Sequence, residues 1–499
     1  MNLHSVMVAF IATFIAAAPA AAQPQQPIQV EVLPFADPDT HETEFPDALT
    51  DEIAFALTKV SGLGVVERSS VYVLRLPGQV IYPDPILNAD YAVSGTAHRM
   101  GQSVLITASL DRLDGGATPP LWQAEYDKAF SDLFDIEEDI ALHVAAALDH
   151  PANLAGGEHL LNSRAKDMDA YDQYLRAKVA ARGRGAQALA EAVKLLEPAL
   201  ARDPDFEPAA AMIAYDYALT PLFASALRGG HSDEEREITD RLIPRAEAFA
   251  LRAVALDPTD AAAFVALGYV RLAQRNMIAA EDAFKQALML DPNEADGLHG
   301  YSQFLAAMGR IDESLAMRAH LQEIEAAVIN YTADTAEIEW LAGNTDKAIE
   351  MLQPFRPGRT LELSLIEAAS GRYRDAAAAL REMPPATWPD GLLAKAAQLL
   401  DAAPANLAAD SLPKLGSLGF VYLHVGAPER VLEYYEDEVK GGYFQPISAT
   451  WFWHPSYEAV RKSVRFKKLT TDLGMVDYWR ARGWPQWCHP VGTDDFACD

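Results

Sequence analysis

The stretch from Ala261 to Pro292 constrains the fold more than any other part of the chain, because two apolar-periodic segments meet there at a short polar turn. Phe264 and Phe284 supply bulk, whereas Gly268 has no side chain, so two antiparallel helices can approach closely at the glycine. Pro292 ends the second helix. One such hairpin cannot bury its apolar face alone, so the pattern predicts that neighbouring hairpins stack on it to form a solenoid.

The same spacing recurs along the chain. Asp-Pro pairs begin at Asp203, Asp257 and Asp291; the last two are one period of about 34 residues apart, and the first two are one period plus an insertion apart. The insertion, residues 223–238, is either a binding loop or a tolerated surface loop. The chain resembles the tetratricopeptide (TPR) repeat at Phe264, Leu267, Gly268, Ala280, Phe284, Ala287 and Pro292. The resemblance implies about six to seven hairpins over residues 169–440, the last ones degenerate.

Glycines mark the turns expected after residue 292. Gly309, Gly343 and Gly371 each stand between two helical patterns, where a left-handed backbone lets a hairpin turn. A further hairpin is predicted over residues 412–439, with Gly426 at its turn.

The amino terminus has the pattern of a secretory leader. An apolar run from Val6 to Ala18 is short for a membrane span, and small residues precede a predicted cleavage between Ala22 and Gln23. No Lys or Arg precedes the apolar run, so an uncleaved leader that anchors the protein is the alternative. We expect a periplasmic protein with no membrane insertion once the leader, residues 1–22, is removed.

Charge disfavours nucleic acid as a partner. The chain has 41 Lys and Arg residues against 71 Asp and Glu residues, and its formal net charge of -30 at pH 7 repels phosphate backbones. Motifs of phosphate-binding loops, serine-hydrolase elbows and metalloprotease helices are absent from the sequence, and the histidines lack ligand spacing. We therefore predict no enzyme activity, no cofactor and no metal.

Strand and helix patterns interleave over residues 23–150. After a Gln/Pro spacer, the expected strands are 28–34, 63–70, 91–99, 104–113 and 121–128, and the expected helices are 44–62 and 132–149. The fold class is therefore α+β: a small α/β domain followed by an all-α solenoid.

This block resembles the TolB amino-terminal-like domain. The matching series are VLPF (32–35), FPDALTDEI (45–53), SGLGVVERSS (61–70), YAVSGTA (91–97), ITASLDRLD (106–114), LWQAEYD (121–127) and LFDIEEDIA (133–141). In bacteria such domains commonly precede TPRs, often behind a class III adenylate cyclase domain or a winged-helix regulator. The resemblance implies a non-catalytic, extracytoplasmic domain, and we expect no cyclase segment between Gln23 and Ile28.

A linker, residues 151–168, leads into the repeats, and residues 441–499 form a different, Trp-rich end. This end resembles the segment that closes the solenoid in the same TolB-like/TPR proteins. It implies that the last repeat is covered by Val464, Phe466, Leu469, Leu473 and Trp479. Cys488 and Cys498 are the two cysteines of the sequence, and in an exported protein we expect them to pair.

The remaining functional surface is the groove lined by the first helix of each hairpin. The TPR phase directs five residues toward it: Tyr269, His299, Gln303, Glu337 and Trp340. They either grip an extended peptide or partner helix, or merely pack and solvate the inner face. We predict a non-enzymatic periplasmic scaffold with a protein or peptide partner in the cell envelope. The alternative is an extracytoplasmic sensory module that acts on a separate membrane signalling partner.

Overall fold

The computed structural model describes residues 28–40, 43–60, 62–66, 75–76, 79–80, 89–113, 119–151, 159–161, 165–182, 185–223, 232–325, 329–355, 360–383, 388–389, 391–442 and 449–499. The leader with its cleavage site, much of the linker and residues 224–231 of the insertion lie outside these ranges. Within the described ranges, no helix combines the length and apolarity needed to cross a membrane.

The amino-terminal domain is a five-stranded mixed sheet with two helices on one face. The sheet strands are β1 (Ile28–Val32), β2 (Leu63–Val66), β5 (Tyr91–Met100), β6 (Ser103–Arg112) and β7 (Trp122–Ala129), and a separate small hairpin contains β3 (Arg75–Leu76) and β4 (Gln79–Val80). The helices are α1 (Glu44–Thr58) and α2 (Leu133–Ala147). The strand order is β2-β1-β5-β6-β7, with β1 parallel to both neighbours and the other pairs antiparallel.

The sequence pattern explains this layering. Along β6 the side chains of Val104, Ile106 and Leu110 are buried, while the alternating positions are only partly covered. A period of two places one apolar face against α1 and α2. The α/β arrangement expected from the sequence is confirmed; the β3–β4 hairpin was not expected from it.

Serial helical hairpins form the rest of the chain. The helices are α3 (Met168–Ala181), α4 (Ala186–Arg202), α5 (Glu207–Leu219), α6 (Ser232–Leu256), α7 (Ala261–Ala273), α8 (Met277–Leu290), α9 (Ala295–Ala307), α10 (Ile311–Ile324), α11 (Ile329–Leu341), α12 (Thr345–Leu352), α13 (Thr360–Ala369), α14 (Tyr373–Glu382), α15 (Leu392–Ala402) and α16 (Leu432–Gly441). We call α3 to α16 the array. The α+β class with a TPR-like solenoid is therefore confirmed.

The predicted turn signals lie where the helices end. The backbone φ angles of Gly309, Gly343 and Gly371 are +81°, +91° and +76°, in the left-handed region that favours glycine. Gly426 also has a positive φ, but residues 416–424 before it form a 3-10 helix rather than the expected α-helix. The second half of the insertion is not a loop, since α6 already begins at Ser232.

The array curves back on itself. First helices of consecutive hairpins, such as α5 and α7, pack on each other more extensively than the second helices do, so the first helices lie on the inner face. α16 then packs against α6. Arg275 Nη2 donates to Val439 O at 2.6 Å, and Arg236 donates to Lys440 O, so two cations meet the carbonyl end of α16.

The carboxyl-terminal segment, which we call the tail, is residues 449–499. It contains α17 (Glu458–Arg461), α18 (Val464–Asp472), α19 (Met475–Arg482) and a hairpin of β8 (Cys488–Val491) and β9 (Asp495–Cys498). Cys488 and Cys498 form a disulfide, as expected. Of the five residues expected to cover the last repeat, Val464 is 82% exposed and the other four are buried. The tail contacts α16 and also reaches back to α8 and α9.

Candidate functional site: the inner face of the array

The array has two edges, one on each side of its inner face. The turn edge consists of the turns inside hairpins, at residues 274–276, 308–310 and 342–344, and the loop edge consists of the loops between hairpins, at residues 203–206, 257–260 and 291–294. The tail covers the turn edge, and the amino-terminal domain approaches the loop edge.

Indole groups fasten the tail to the turn edge. Trp453 Nε1 donates to Ala307 O at 2.9 Å, and Trp479 Nε1 donates to Met308 O at 3.2 Å. Both rings are buried, and their hydrogen bonds satisfy carbonyls at the end of α9 that the helix leaves unpaired. A Cβ on Gly309 would lie 2.5 Å from Pro485 Cβ, so the glycine permits this close approach.

A buried carboxylate at Glu281 of α8 holds the tail in a second place. Its Oε1 accepts from Tyr301 Oη at 3.1 Å and pairs with Lys285 at 2.8 Å and with Arg310 at 2.5 Å. Arg482 of the tail brings its Nε to 3.5 Å from Oε2. Burial alone would raise the pKa of Glu281, but the hydrogen bonds from Lys285 and Arg310 outweigh it and lower that pKa. The carboxylate is therefore an anion shared between the array and the tail.

The amino-terminal domain meets the array at α3 and at the loop edge. Arg182 pairs with Asp47 at 3.1 Å and with Asp51, and Lys59 Nζ lies 4.0 Å from Asp291. At this edge burial raises the pKa of Glu207 to about 10, with the neighbouring Asp260 adding to the shift and Lys59 opposing it. Glu207 therefore carries a proton at neutral pH and hydrogen-bonds Asp260.

Between the two edges, the inner face holds a polar cluster, which we call the Arg318 cluster. Arg318 comes from α10, a second helix, and is fully buried. Its Nη1 lies 3.1 Å from His299 Nδ1, and its Nη2 lies 3.8 Å from Asp334 Oδ2. Gln303 Nε2 donates to Asp334 at 2.9 Å, and the His299 ring lies 4.7 Å from the Tyr331 ring. The cluster therefore joins three helices, α9, α10 and α11.

Charge in this cluster is only partly compensated. Burial lowers the pKa of Arg318, and Asp334 opposes that shift. Within the part of the chain that the structure describes, Arg318 Nε has no hydrogen-bond partner. The side chains of His299 and Asp334 are 13% and 15% exposed, so the cluster reaches the surface through these two groups. A buried cation beside two accessible polar groups suits recognition of polar peptide groups.

The five residues expected in the groove have different environments. His299 and Gln303 come together in the Arg318 cluster and are partly exposed. Tyr269 is buried, with its ring 5.4 Å from that of Phe284. Glu337 and Trp340 are covered by the tail: Thr450 Oγ1 donates to Glu337, and the ring of His454 stacks on Trp340 at 4.0 Å.

Sequence reasoning missed Arg318, Asp334 and the tail residues that reach Glu337 and Trp340. A signal for Arg318 existed, since Ser314, Arg318 and Leu321 recur at helical spacing on the buried stripe of α10. A charged residue on such a stripe needs a partner from a neighbouring helix. The tail contacts carried no such signal, because they join residues more than one hundred positions apart.

Among the described residues, one group of side chains has metal-ligand types close together: Asp37, Asp39 and His98. Asp37 Oδ1 accepts from the backbone N–H of Asp39 and Thr40, and Oδ2 lies 2.9 Å from His98 Nδ1. Burial alone would raise the pKa of Asp37, but these hydrogen bonds hold it well below its usual range. The pattern is that of an aspartate turn, and we assign no metal to it.

Comparison with known proteins gives distant matches. No family model matches the chain. A protein of Rhizobium meliloti (strain 1021) named "Putative adenylate cyclase 3" is 30% identical over 204 residues, which cover 40% of this chain and 34% of the relative, so the chain spans about a third of that protein.

Several solved structures are similar to parts of the chain. The human IFIT1 dimer with PPP-AAAA is 17% identical, with a TM-score of 0.32, over 60% of this chain and 77% of its own. PilF of Pseudomonas aeruginosa is 16% identical, with a TM-score of 0.26, over 48% and 99%. YrrB, described as a TPR protein with an unusual peptide-binding site, is 19% identical, with a TM-score of 0.26, over 39% and 90%.

Proposed function

We propose that the protein is a non-enzymatic scaffold of the periplasm that binds a protein or peptide partner on the inner face of the array. The observation that carries the proposal is the Arg318 cluster. It sets the partly exposed groups of His299, Gln303 and Asp334 on first helices that line the inner face. Stacked hairpins present extended inner surfaces of this kind to other proteins.

Export rests on two features. The sequence begins with a leader pattern, and the structure has a Cys488–Cys498 disulfide, which is typical of oxidising compartments. Fractionation of cells that produce the full chain tests this: we expect the protein in the periplasmic fraction with Gln23 as its first residue. A protein recovered with the membranes and starting at Met1 supports the anchored alternative, and a cytosolic protein contradicts export.

Partner binding is tested with the purified mature chain. Crosslinking in envelope extracts identifies a candidate, and titration of that purified candidate measures its affinity. We expect Gln303→Ala to weaken binding by about tenfold. The substitution removes the amide that donates to Asp334, and one hydrogen bond to a charged group is worth about that much. Gln322→Ala, on the second helix α10, is the matched control and should bind like the wild type. Equal affinities for wild type and Gln303→Ala place the partner elsewhere.

A second candidate function is supported by the match to the adenylate cyclase relative. In this hypothesis the chain is a regulatory module that acts on a separate membrane signalling partner. Its amino-terminal domain is TolB-like. Adding the purified protein to membranes that contain such a cyclase should change the cyclase rate. Cyclase turnover by the purified protein alone would contradict both candidates.

A further inference from the structure

The contact between α11 and the beginning of the tail, which we call the seam, places an acid on one side and a hydroxyl donor on the other. Glu337 is 3% exposed and accepts a hydrogen bond from Thr450 Oγ1. One turn further along α11, the ring of Trp340 is fully buried beneath His454, with the two ring planes 17° apart. Glu337 and Trp340 are thus both removed from the inner face by the tail.

The surroundings of Glu337 offer little compensation for a negative charge. Among the described residues, the charged and titratable groups that act on it come from α10, α11, α13, α16 and the tail, and they are Arg318, Asp334, Glu362, Tyr435 and Tyr457. Of these groups, Arg318 is positively charged, and it is already paired with Asp334. A buried carboxylate that no described residue matches with a separate cation is unfavourable, so the site holds a carboxylic acid more readily than its anion.

We propose that the seam is a pH-sensitive contact: it is closed while Glu337 carries its proton, and it opens locally at residues 449–454 when Glu337 ionises, exposing Glu337 and Trp340 on the inner face. This inference rests on the proposed function, because it describes the regulation of access to the same surface. Opening of residues 449–454 also releases the hydrogen bond from Trp453 to Ala307 O. Residues 455–499 stay in place, since Trp479 donates to Met308 O and the disulfide closes the β8–β9 hairpin independently of Glu337.

The direction of the pH effect follows from the two states of Glu337. Burial raises its pKa in the closed seam to about 8, although Thr450 and Trp451 oppose the shift by hydrogen bonding. In the open seam water surrounds the carboxyl, and its pKa returns to about 4.3. The closed state therefore binds the proton more tightly, and the opening equilibrium rises by up to about tenfold per pH unit until about pH 8. Above that pH it levels off, because Glu337 is ionised in both states.

Above pH 6.5 the charge of His454 does not change when the seam opens. Burial lowers its pKa to about 4, and Arg461 and His424 act in the same direction. The ring is therefore neutral in the closed seam, and it is neutral above its ordinary pKa of about 6.5 in the open one. The informative range is pH 6.5 to 9.

Hydrogen exchange of the full mature protein tests the proposal without any partner. Exchange of backbone amides in α11 and in residues 449–454 is measured at several pH values and compared, at each pH, with Glu337→Gln. We expect the ratio of wild-type to variant opening to rise by about fifteenfold between pH 6.5 and pH 8, to reach about thirtyfold near pH 9, and to level off there. Glu339→Gln, on the same helix, should keep the wild-type pH dependence. Identical pH profiles for wild type and Glu337→Gln would overturn the proposal.

A second variant gives a result even if Glu337→Gln is poorly folded. Thr450→Val removes a hydrogen bond that lowers the pKa of Glu337, so the pH at which opening levels off should move upward. An unchanged or lower levelling pH would refute the role of Glu337. These readouts come from the isolated chain, so a failure to find a partner leaves them intact, and their failure leaves partner binding at Gln303 testable.

Discussion

Replacing Trp479 tests whether the tail is an integral part of the array. The indole of Trp479 is 1% exposed and packs against the rings of Trp453, Trp484 and Phe496. Its N–H donates to Met308 O at 3.2 Å, across the boundary between tail and array. The side chain thus contributes both apolar burial and a hydrogen bond to the turn edge.

The expected losses differ between two substitutions. An indole buries about 150 to 250 Å² of apolar surface, worth about 4 to 6 kcal/mol at 25 cal/mol per Å². Trp479→Ala leaves a partly collapsed cavity, so we expect a loss of about 3 to 5 kcal/mol in the free energy of unfolding. Trp479→Phe keeps most of the apolar contact but leaves the carbonyl of Met308 without its indole donor, and we expect about 1 to 3 kcal/mol.

Urea unfolding followed by far-ultraviolet circular dichroism measures these losses, because the signal reports the helices of the array and not the tail alone. Val464→Ala is the matched control from the same segment: Val464 is 82% exposed, and its loss should lie within about 0.5 kcal/mol. A loss of less than about 1 kcal/mol for Trp479→Ala would show that the tail does not stabilise the array through the turn edge.

Three further outcomes are expected from the same unfolding assay. Gly268→Ala should cost about 1 to 3 kcal/mol, because the added Cβ would lie 2.7 Å from a buried aromatic ring, whereas Gly419→Ala, whose Cβ would have its nearest neighbour at 3.6 Å, should cost less. Replacing Cys488 and Cys498 by serine should cost roughly 2 to 3 kcal/mol, and reduced wild type should match that variant. Raising the pH from 7 to 9 should destabilise the wild type more than Glu207→Gln, since folding raises the pKa of Glu207 to about 10 and the folded state therefore keeps a proton that the unfolded state has lost. Equal pH slopes would contradict the protonated state of Glu207.

Local patterns predicted the elements well. The glycine turns at Gly309, Gly343 and Gly371 require a left-handed backbone, a property of the residue itself, and the structure has it at all three. The alternation along β6 and the helical period along α7 likewise depend on nearest neighbours in the chain. The 3-10 helix at residues 416–424 departs from the prediction, but it changes the hydrogen-bond spacing and not the position of the turn at Gly426.

Contacts between distant segments could not be predicted in the same way. The TPR phase directs His299 and Gln303 toward the groove, but it treats each hairpin as a repeat with an open inner face. The closure of α16 on α6 and the burial of Glu337 and Trp340 depend on the tail, whose aromatic residues form no repeat. A sequence pattern shows that Trp453 and Trp479 need burial; it does not show which carbonyls their N–H groups will find.

The arrangement of the two covered edges limits where a partner can bind. The tail lies on the turn edge, and Lys59 of the amino-terminal domain lies on the loop edge. With the seam closed, the partly exposed groups of the Arg318 cluster lie between these covered edges. A peptide end or a single protruding side chain fits such a space better than a long extended segment does. Opening of the seam would extend the accessible surface along α11 to Trp340, so a partner with a longer binding segment should gain affinity above pH 8, whereas one that contacts the Arg318 cluster alone should not.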